Sequence, residues 1–348
     1  AKSLSAIDDF LNRNPPRIKN RGPGPILRGG DLIKEIIDAI RNLDGSVLPI
    51  QGPPGTGKTY VASKAIATMV REGRRIAISS NSHAAIKNVL IAVADELKQD
   101  GGSPVIIAHK AKDEPSDDEE LSVSGITQVA KNDDPLLITA PIVGGTVWLF
   151  SRSEHAKAYD YLFVDEAGQV GLANLVAMAR CACNLVLIGD PRQLPQVIQA
   201  AHPGPVGLSG LEYLLGDNLT IPNERGIFLE ITQRMHPDLC HFISEQVYEG
   251  RLKSHPDTAI QGIKTSDWPS SGAYFVPVTH DSNIQIAREE IDAIKSCISD
   301  LLAGAWTDKR GITRALSEKD IIVVAPYNAQ TNALQDALPK EIRVGTVD

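Results

Sequence analysis

Apolar positions along this chain keep two rhythms, and the rhythms alternate. Between Asp31 and Leu43 they stand at Leu32, Ile36, Ile37 and Ile40, the spacing of one helix face. A continuous run follows, Ser46-Val47-Leu48-Pro49-Ile50, which reads as a buried strand, and residues 60–70 return to helical spacing. The exchange goes on, with strands predicted at 75–79, 105–108, 136–140, 161–164 and 185–188 and a helix at 82–98. Residues 200–226 are rich in Gly and Pro and read as a connection between domains. A second set then begins, with strands predicted at 227–231, 273–278, 321–325 and 342–347 and helices at 237–248, 284–302 and 328–338. Strands alternating with helices predict an α/β fold with mainly parallel sheets covered on both faces.

Three segments are predicted from these breaks. Residues 1–29 start helically and then meet Pro15, Pro16, Pro23 and Pro25, so they read as a linker or edge segment. Residues 30–225 and 226–348 read as two α/β domains, the second expected to be incomplete because the chain stops at Asp348 on what should be an internal strand. The first carries an insertion at about 109–133, whose acidic stretch, residues 113–120, has no apolar face and reads as mobile surface.

Composition narrows the class only a little. Hydrophobic content of 42% and charged content of 22% are usual for a globular protein. A formal net charge of −8 argues against a general basic coat, so any nucleic acid would be held in a local channel. No run approaches the roughly 18 apolar residues of a membrane span, and Asp8 and Asp9 do not suit a signal peptide. Cys181, Cys183, Cys240 and Cys297 show neither metal nor disulfide spacing, so reduced thiols in a cytoplasmic protein are expected.

The chemistry is concentrated in four stretches. Gly52-Pro53-Pro54-Gly55-Thr56-Gly57-Lys58-Thr59 lies between a predicted strand and a predicted helix, the context of a phosphate-binding loop. Its glycines let backbone N–H groups surround phosphate oxygens, and the helix start adds partial positive charge. Lys58 reaches the β- and γ-phosphates of ATP, and the Thr59 hydroxyl ligates Mg²⁺. The strand Tyr161-Leu162-Phe163-Val164 ends in Asp165 and Glu166, a carboxylate for Mg²⁺ and a carboxylate to activate water. Leu187-Ile188-Gly189-Asp190-Pro191-Arg192-Gln193-Leu194 opens another strand end, where Gln193 can touch the γ-phosphate or the attacking water. In Gln233-Arg234-Met235-His236-Pro237, Arg234 can reach the same phosphate from a separate domain.

These four stretches, in this order, resemble the superfamily 1 helicases, in the branch of the nonsense-mediated-decay helicase and the replication nuclease-helicase. Residues 145–150 and 242–252 look closer still to bacterial helicase modules fused to RecB-like nucleases. The resemblance implies two RecA-like P-loop domains, ATP between them, single-stranded nucleic acid across them, and translocation with 5′→3′ polarity. DNA is favoured over RNA, a monomer is expected, and a linked or associated RecB-like nuclease is an implied partner. It also places strand contacts at Asn81, Ser82, His83 and Thr146, and in the second domain at Tyr327, Gln330 and Thr346. An RNA helicase of the decay type, or a nucleotide-gated clamp without unwinding, are the alternatives. The chain departs from the family in three places. No adenine-reading glutamine stands near 30–36, Gln233 replaces an aromatic residue, and the closing glutamine and arginine motifs do not occur before Asp348. Trp148, Trp268 and Trp306 could stack bases, but core or interface packing is the preferred reading.

Overall fold

A computed structural model describes residues 5–99, 101, 103–111, 118–194 and 203–346. The chain divides into two compact units, Ala1–Thr232 with Gln246–Leu252, and Gln233–Glu245 with Lys253–Asp348. Both are α/β, as the alternating rhythms predict.

The first unit is built on eight strands: β1 (Val47–Gln51), β2 (Ile76–Ser79), β3 (Ile107–Lys110), β4 (Ile126–Val129), β5 (Ile142–Gly144), β6 (Tyr159–Val164), β7 (Ala182–Gly189) and β8 (Ile227–Phe228). Their order is β4-β3-β5-β2-β6-β7-β1-β8, and every pairing is parallel. All eight carboxyl ends therefore lie along one edge. Side chains of one strand feed opposite cores in turn. Leu48, Ile50, Ile76, Ile78, Tyr161 and Phe163 enter one, while Val47, Ala77, Leu162 and Val164 enter the other. A sheet covered on both faces needs such wholly apolar strands.

Helices α1 (Ala6–Leu11), α2 (Leu32–Arg41), α3 (Lys58–Arg71), α4 (His83–Gln99), α5 (Glu119–Ser124), α6 (Leu136–Thr139), α7 (Val147–Phe150), α8 (Leu172–Ala179) and α9 (Gly210–Leu215) complete this unit. Several depart from the predicted pattern. Residues 136–140 form a helix, not a strand. Asp134 accepts the Leu136 N–H at 2.8 Å and Thr139 donates to the Pro135 carbonyl, closing one turn, and a short apolar run fits either structure. The strand comes next, as β5. The amino-terminal segment is no mere linker. Phe10 is fully buried, and buried Asp9 pairs with Arg17 at 2.5 Å and accepts the Ser46 hydroxyl at 2.6 Å. The Gly/Pro-rich stretch also belongs to this unit. Ser209 and Glu212 form a capping box, and Leu211, Leu214 and Leu215 are buried.

The acidic stretch is only partly visible. Residues 112–117 lie outside the described residues, but Asp118 caps α5 and pairs with Lys87 at 2.6 Å, and Glu120 reaches the same ammonium at 2.7 Å. Leu121 is buried beneath them, so this end of the stretch does have an apolar anchor.

In the second unit, the helices Arg288–Leu302 and Asn328–Ala337 pack on a parallel pair, Ile322–Val324 with Arg343–Gly345, around Ile291, Ile298, Val323, Leu334 and Ile342. Gly262–Lys264, Ala305–Thr307 and Thr313–Ala315 form a separate three-stranded antiparallel sheet. The strand predicted at 273–278 does not form, and Phe275 is 90% exposed. An alternating run becomes a strand only when a neighbour pairs its backbone, and the parallel pair here bonds to itself alone among the described residues. No helix among the described residues is long and apolar enough to cross a membrane.

Candidate active site

The sheet order places the P-loop strand β1 beside β7, and the carboxylate strand β6 on the far side of β7. The loop 52–57 leaves β1 at the carboxyl edge, where the Gly52 N–H donates to the Gly189 carbonyl at 2.8 Å. Gly57 turns the chain into α3 with a left-handed φ of 85°, a conformation that favours glycine. A Cβ on Gly52 would sit 2.6 Å from the Lys58 Cγ, so glycine there lets the lysine fold across the loop. Lys58 Nζ donates to the Gly52 carbonyl at 3.1 Å and lies 3.7 Å from a Glu166 carboxylate oxygen. The loop's end is therefore within reach of the two carboxylates.

Asp165 and Glu166 leave β6 differently. Neighbouring strand residues point to opposite faces, and the chain resolves this at Glu166, which takes φ 48° and ψ 42°. A non-glycine residue in that region carries strain that the surroundings must hold. The hold is visible. The Asp165 N–H donates to Ser79 at 2.8 Å, and the Gln169 N–H donates to Glu166 at 2.7 Å. A Cβ on Gly168 would meet the Asp190 carbonyl oxygen at 2.6 Å, and one on Gly189 would meet the Ala167 nitrogen at 2.7 Å. Those two glycines let the backbones after β6 and β7 press together.

Asp165 is 8% exposed, and its Oδ1 has no hydrogen-bond partner. Burial first, and then the Glu166 charge, push its carboxyl up to about 6. A buried carboxylate oxygen without a donor, beside a second carboxylate, suits a hard cation. The residues present thus fit Mg²⁺ bound with nucleotide phosphates, at Asp165 and at Thr59 on the first turn of α3.

Asp190, also buried, organises the third stretch. It accepts the Arg192 N–H at 3.1 Å, the Gln193 amide at 3.2 Å and the Tyr248 hydroxyl at 2.6 Å. Burial, then the Asp190 charge and hydrogen bond, push the Tyr248 phenol well up. Gln193 is thus held at the sheet edge by Asp190, itself fixed by Tyr248, a residue that no sequence motif announces. Thr232, the last residue of this unit's first segment, donates its hydroxyl to the P-loop carbonyl of Pro54 at 2.9 Å. Arg234 follows two residues later, in the second unit, exposed, with its carbonyl accepting the Gln261 amide.

The predicted strand contacts divide. In the first unit, register sets Ile78, Gly144 and His109 abreast across β2, β5 and β3. The residues just beyond them, Asn81, Ser82 and His83 after β2 and Thr146 after β5, therefore share one stretch of edge. Asn81 donates to Gln169 at 2.5 Å, tying this stretch to the carboxylate turn. His83 Nδ1 lies 3.5 Å from His109 Nε2. In the second unit Tyr327 is exposed and Thr346 half-buried, but Gln330 is buried. Its amide bonds the Ala287 backbone in both directions, at 2.9 and 3.2 Å, which stops the long helix short of its predicted start and gives Gln330 a scaffold role.

His109 was not legible as part of the site. It is 5% exposed, and burial, then the His83 and Lys110 charges, push it down to about 4. The unfolded chain takes its proton near 6.5, so stability present above that value is lost as pH falls toward 4, by up to about 3 kcal/mol. His109→Gln is expected to remove that loss. Urea unfolding between pH 7.5 and 4.5 should show the variant gaining on the unaltered protein as pH drops, and parallel curves would refute the assignment.

Two family models, each described as AAA domain, match residues 34–203 and 209–348, together most of the chain. The relatives it is similar to are named as helicases. The replication ATP-dependent helicase/nuclease DNA2 of Saccharomyces cerevisiae is 29% identical over 230 residues, covering 63% of this chain and 14% of its own length. Its Schizosaccharomyces pombe counterpart is 29% identical over 331 residues, covering 86% and 23%. The chain belongs to the superfamily 1 helicases. Within that family it is also similar to regulator of nonsense transcripts 1 of Caenorhabditis elegans, 23% identical over 343 residues and covering 86% and 32%. The chain thus spans less than a third of the length of each of these relatives. Among solved structures, arterivirus nonstructural protein 10 (helicase) with DNA aligns at a TM-score of 0.38 and 16% identity, covering 60% of this chain and 42% of that one.

Proposed function

We propose that this chain is the ATP-driven motor of a DNA helicase, hydrolysing Mg-ATP between two RecA-like domains, 30–225 and 226–348, to move 5′→3′ along single-stranded DNA. The observation that carries the proposal is the joint placement of Lys58, Asp165 and Glu166 at one sheet edge, with Lys58 3.7 Å from Glu166 and a buried Asp165 oxygen lacking a donor. Residues 52–58 hold the phosphates through backbone N–H groups and the lysine ammonium. Thr59 and Asp165 hold Mg²⁺, which supplies positive charge against the phosphate oxygens. Glu166 takes a proton from the attacking water, and Gln193 orients that water or senses the phosphate. Arg234 adds charge stabilisation.

Asn81, Ser82, His83 and Thr146 would grip the strand at its phosphates and sugars, with Tyr327 and Thr346 in the second unit, without reading sequence. DNA is favoured because the DNA2-type relatives are named as DNA replication helicases. The test is ATP turnover with and without single-stranded oligonucleotides. Turnover should rise more with a DNA oligonucleotide than with an RNA of the same sequence. Equal or greater stimulation by RNA overturns the DNA assignment, and turnover that ignores both overturns the motor.

A further inference from the structure

The three tryptophans do not share one environment. Trp268 meets Tyr274 edge-on with ring centres 6.4 Å apart, and Trp306 lies under the Arg314 guanidinium at 4.8 Å. Trp148 is 80% exposed, against the core or interface place expected from sequence. It sits on α7, a single turn capped at Thr146. The other residues of that turn hold it still. Leu149 and Phe150 are 2% and 1% exposed, Val147 packs on the same core, and Phe150 stands edge-on to Tyr159 at 5.6 Å. A Cβ on Gly145 would lie 2.5 Å from the Leu149 side chain, so the turn is pressed closely onto the strand end. The indole is therefore carried outward from a fixed base.

Its position gives it a use. α7 follows β5, which lies between β2 and β3 in the sheet. Asn81, Ser82 and His83 follow β2, and His109 is the last residue but one of β3, so Trp148 rises from the middle of the polar stretch assigned above to the strand's phosphates. Polar groups there can hold a sugar–phosphate chain, but apart from the His83 ring they present no flat face to the bases. A flat, apolar, uncharged ring beside them does, because every base has a π-face and stacking tolerates any sequence.

We propose that the Trp148 indole stacks on a base of the single strand held along this edge, making it a binding residue that supplies base contact where its neighbours supply backbone contact. The proposal rests on the strand-binding reading of this edge. It gives the first domain an uncharged grip, which suits a protein of net charge −8.

The experiment compares the unaltered protein, Trp148→Ala and Trp148→Phe, binding fluorescently labelled oligo-dT and an abasic oligonucleotide of the same length. Trp148→Ala should bind oligo-dT roughly 5- to 150-fold more weakly, the range that stacking of one base gives, and Trp148→Phe should recover part of the loss. The slope of log affinity against log salt should stay the same, because no phosphate contact is removed. The preference of the unaltered protein for oligo-dT over the abasic strand should shrink in Trp148→Ala. Equal affinity of Trp148→Ala and the unaltered protein for oligo-dT overturns the stacking proposal alone. Failure of the unaltered protein to bind either strand overturns the strand-binding reading and the proposal with it.

Discussion

Glu166→Gln is expected to bind Mg-ATP as tightly as the unaltered protein, or more tightly, while its turnover falls by about 10²- to 10⁴-fold, the usual contribution of a positioned general base. The reasoning starts from the backbone. Glu166 takes φ 48° at the end of β6, and glutamine has the same length and branching, so the variant meets the same strain and the same packing. What it loses is the negative charge and the ability to accept a proton. Lys58 lies 3.7 Å from that charge and shares itself between Glu166 and the Gly52 carbonyl. With glutamine in place, the ammonium has one attraction fewer to give up before it meets a phosphate. Affinity therefore holds or improves as turnover collapses, a separation of ground-state binding from the chemical step. Equilibrium nucleotide binding and steady-state turnover, measured on one preparation, check it. A variant that turns over within a few-fold of the unaltered protein removes Glu166 from the mechanism, and one that loses binding in step with turnover makes it a binding residue.

How much of this was legible in the sequence depends on what each residue needs. The P-loop needs only local backbone chemistry, so glycines, lysine and threonine in order sufficed to place it between β1 and α3. Asp165 and Glu166 were legible as a pair, but the device that lets both serve one edge, the left-handed turn at Glu166, is invisible because glutamate does not announce positive φ. Short apolar runs misled where neighbours decide. Residues 136–140 closed a helical turn on Asp134 and Pro135, and residues 273–278 found no strand to pair with. Gly and Pro at 200–226 suggested a connection, yet Leu211, Leu214 and Leu215 are core residues, and the Ser209–Glu212 capping box was the overlooked signal. Tyr248 and His109 act through contacts 58 and 26 residues away in sequence, which no local pattern encodes. Trp148 erred the other way. An aromatic residue beside Val147, Leu149 and Phe150 looks like core, and only the direction of one helical turn shows which of the four faces out.

Asp165→Asn should reverse the order of stability on adding nucleotide. Without ligand the variant is expected to be more stable than the unaltered protein, by about 1–3 kcal/mol, the cost of a buried group that lacks its partner. Asp165 holds a carboxylate at 8% exposure, with one oxygen lacking a donor and Glu166 next to it in the chain. Asparagine keeps the shape and removes the charge, so the fold gains what the site gives up, the trade expected where function needs a strained or unpaired group. With Mg-ATP present the order should invert. The unaltered protein gains about 4.1 kcal/mol when ligand stands at 1,000 times its dissociation constant, whereas the variant has lost one of the two groups that hold the metal. Thermal or urea unfolding of both proteins, with and without Mg-ATP, gives four values that must cross. An unliganded variant no more stable than the unaltered protein would show that the Asp165 carboxylate costs the fold nothing. Equal stabilisation of both by Mg-ATP would move the metal away from Asp165.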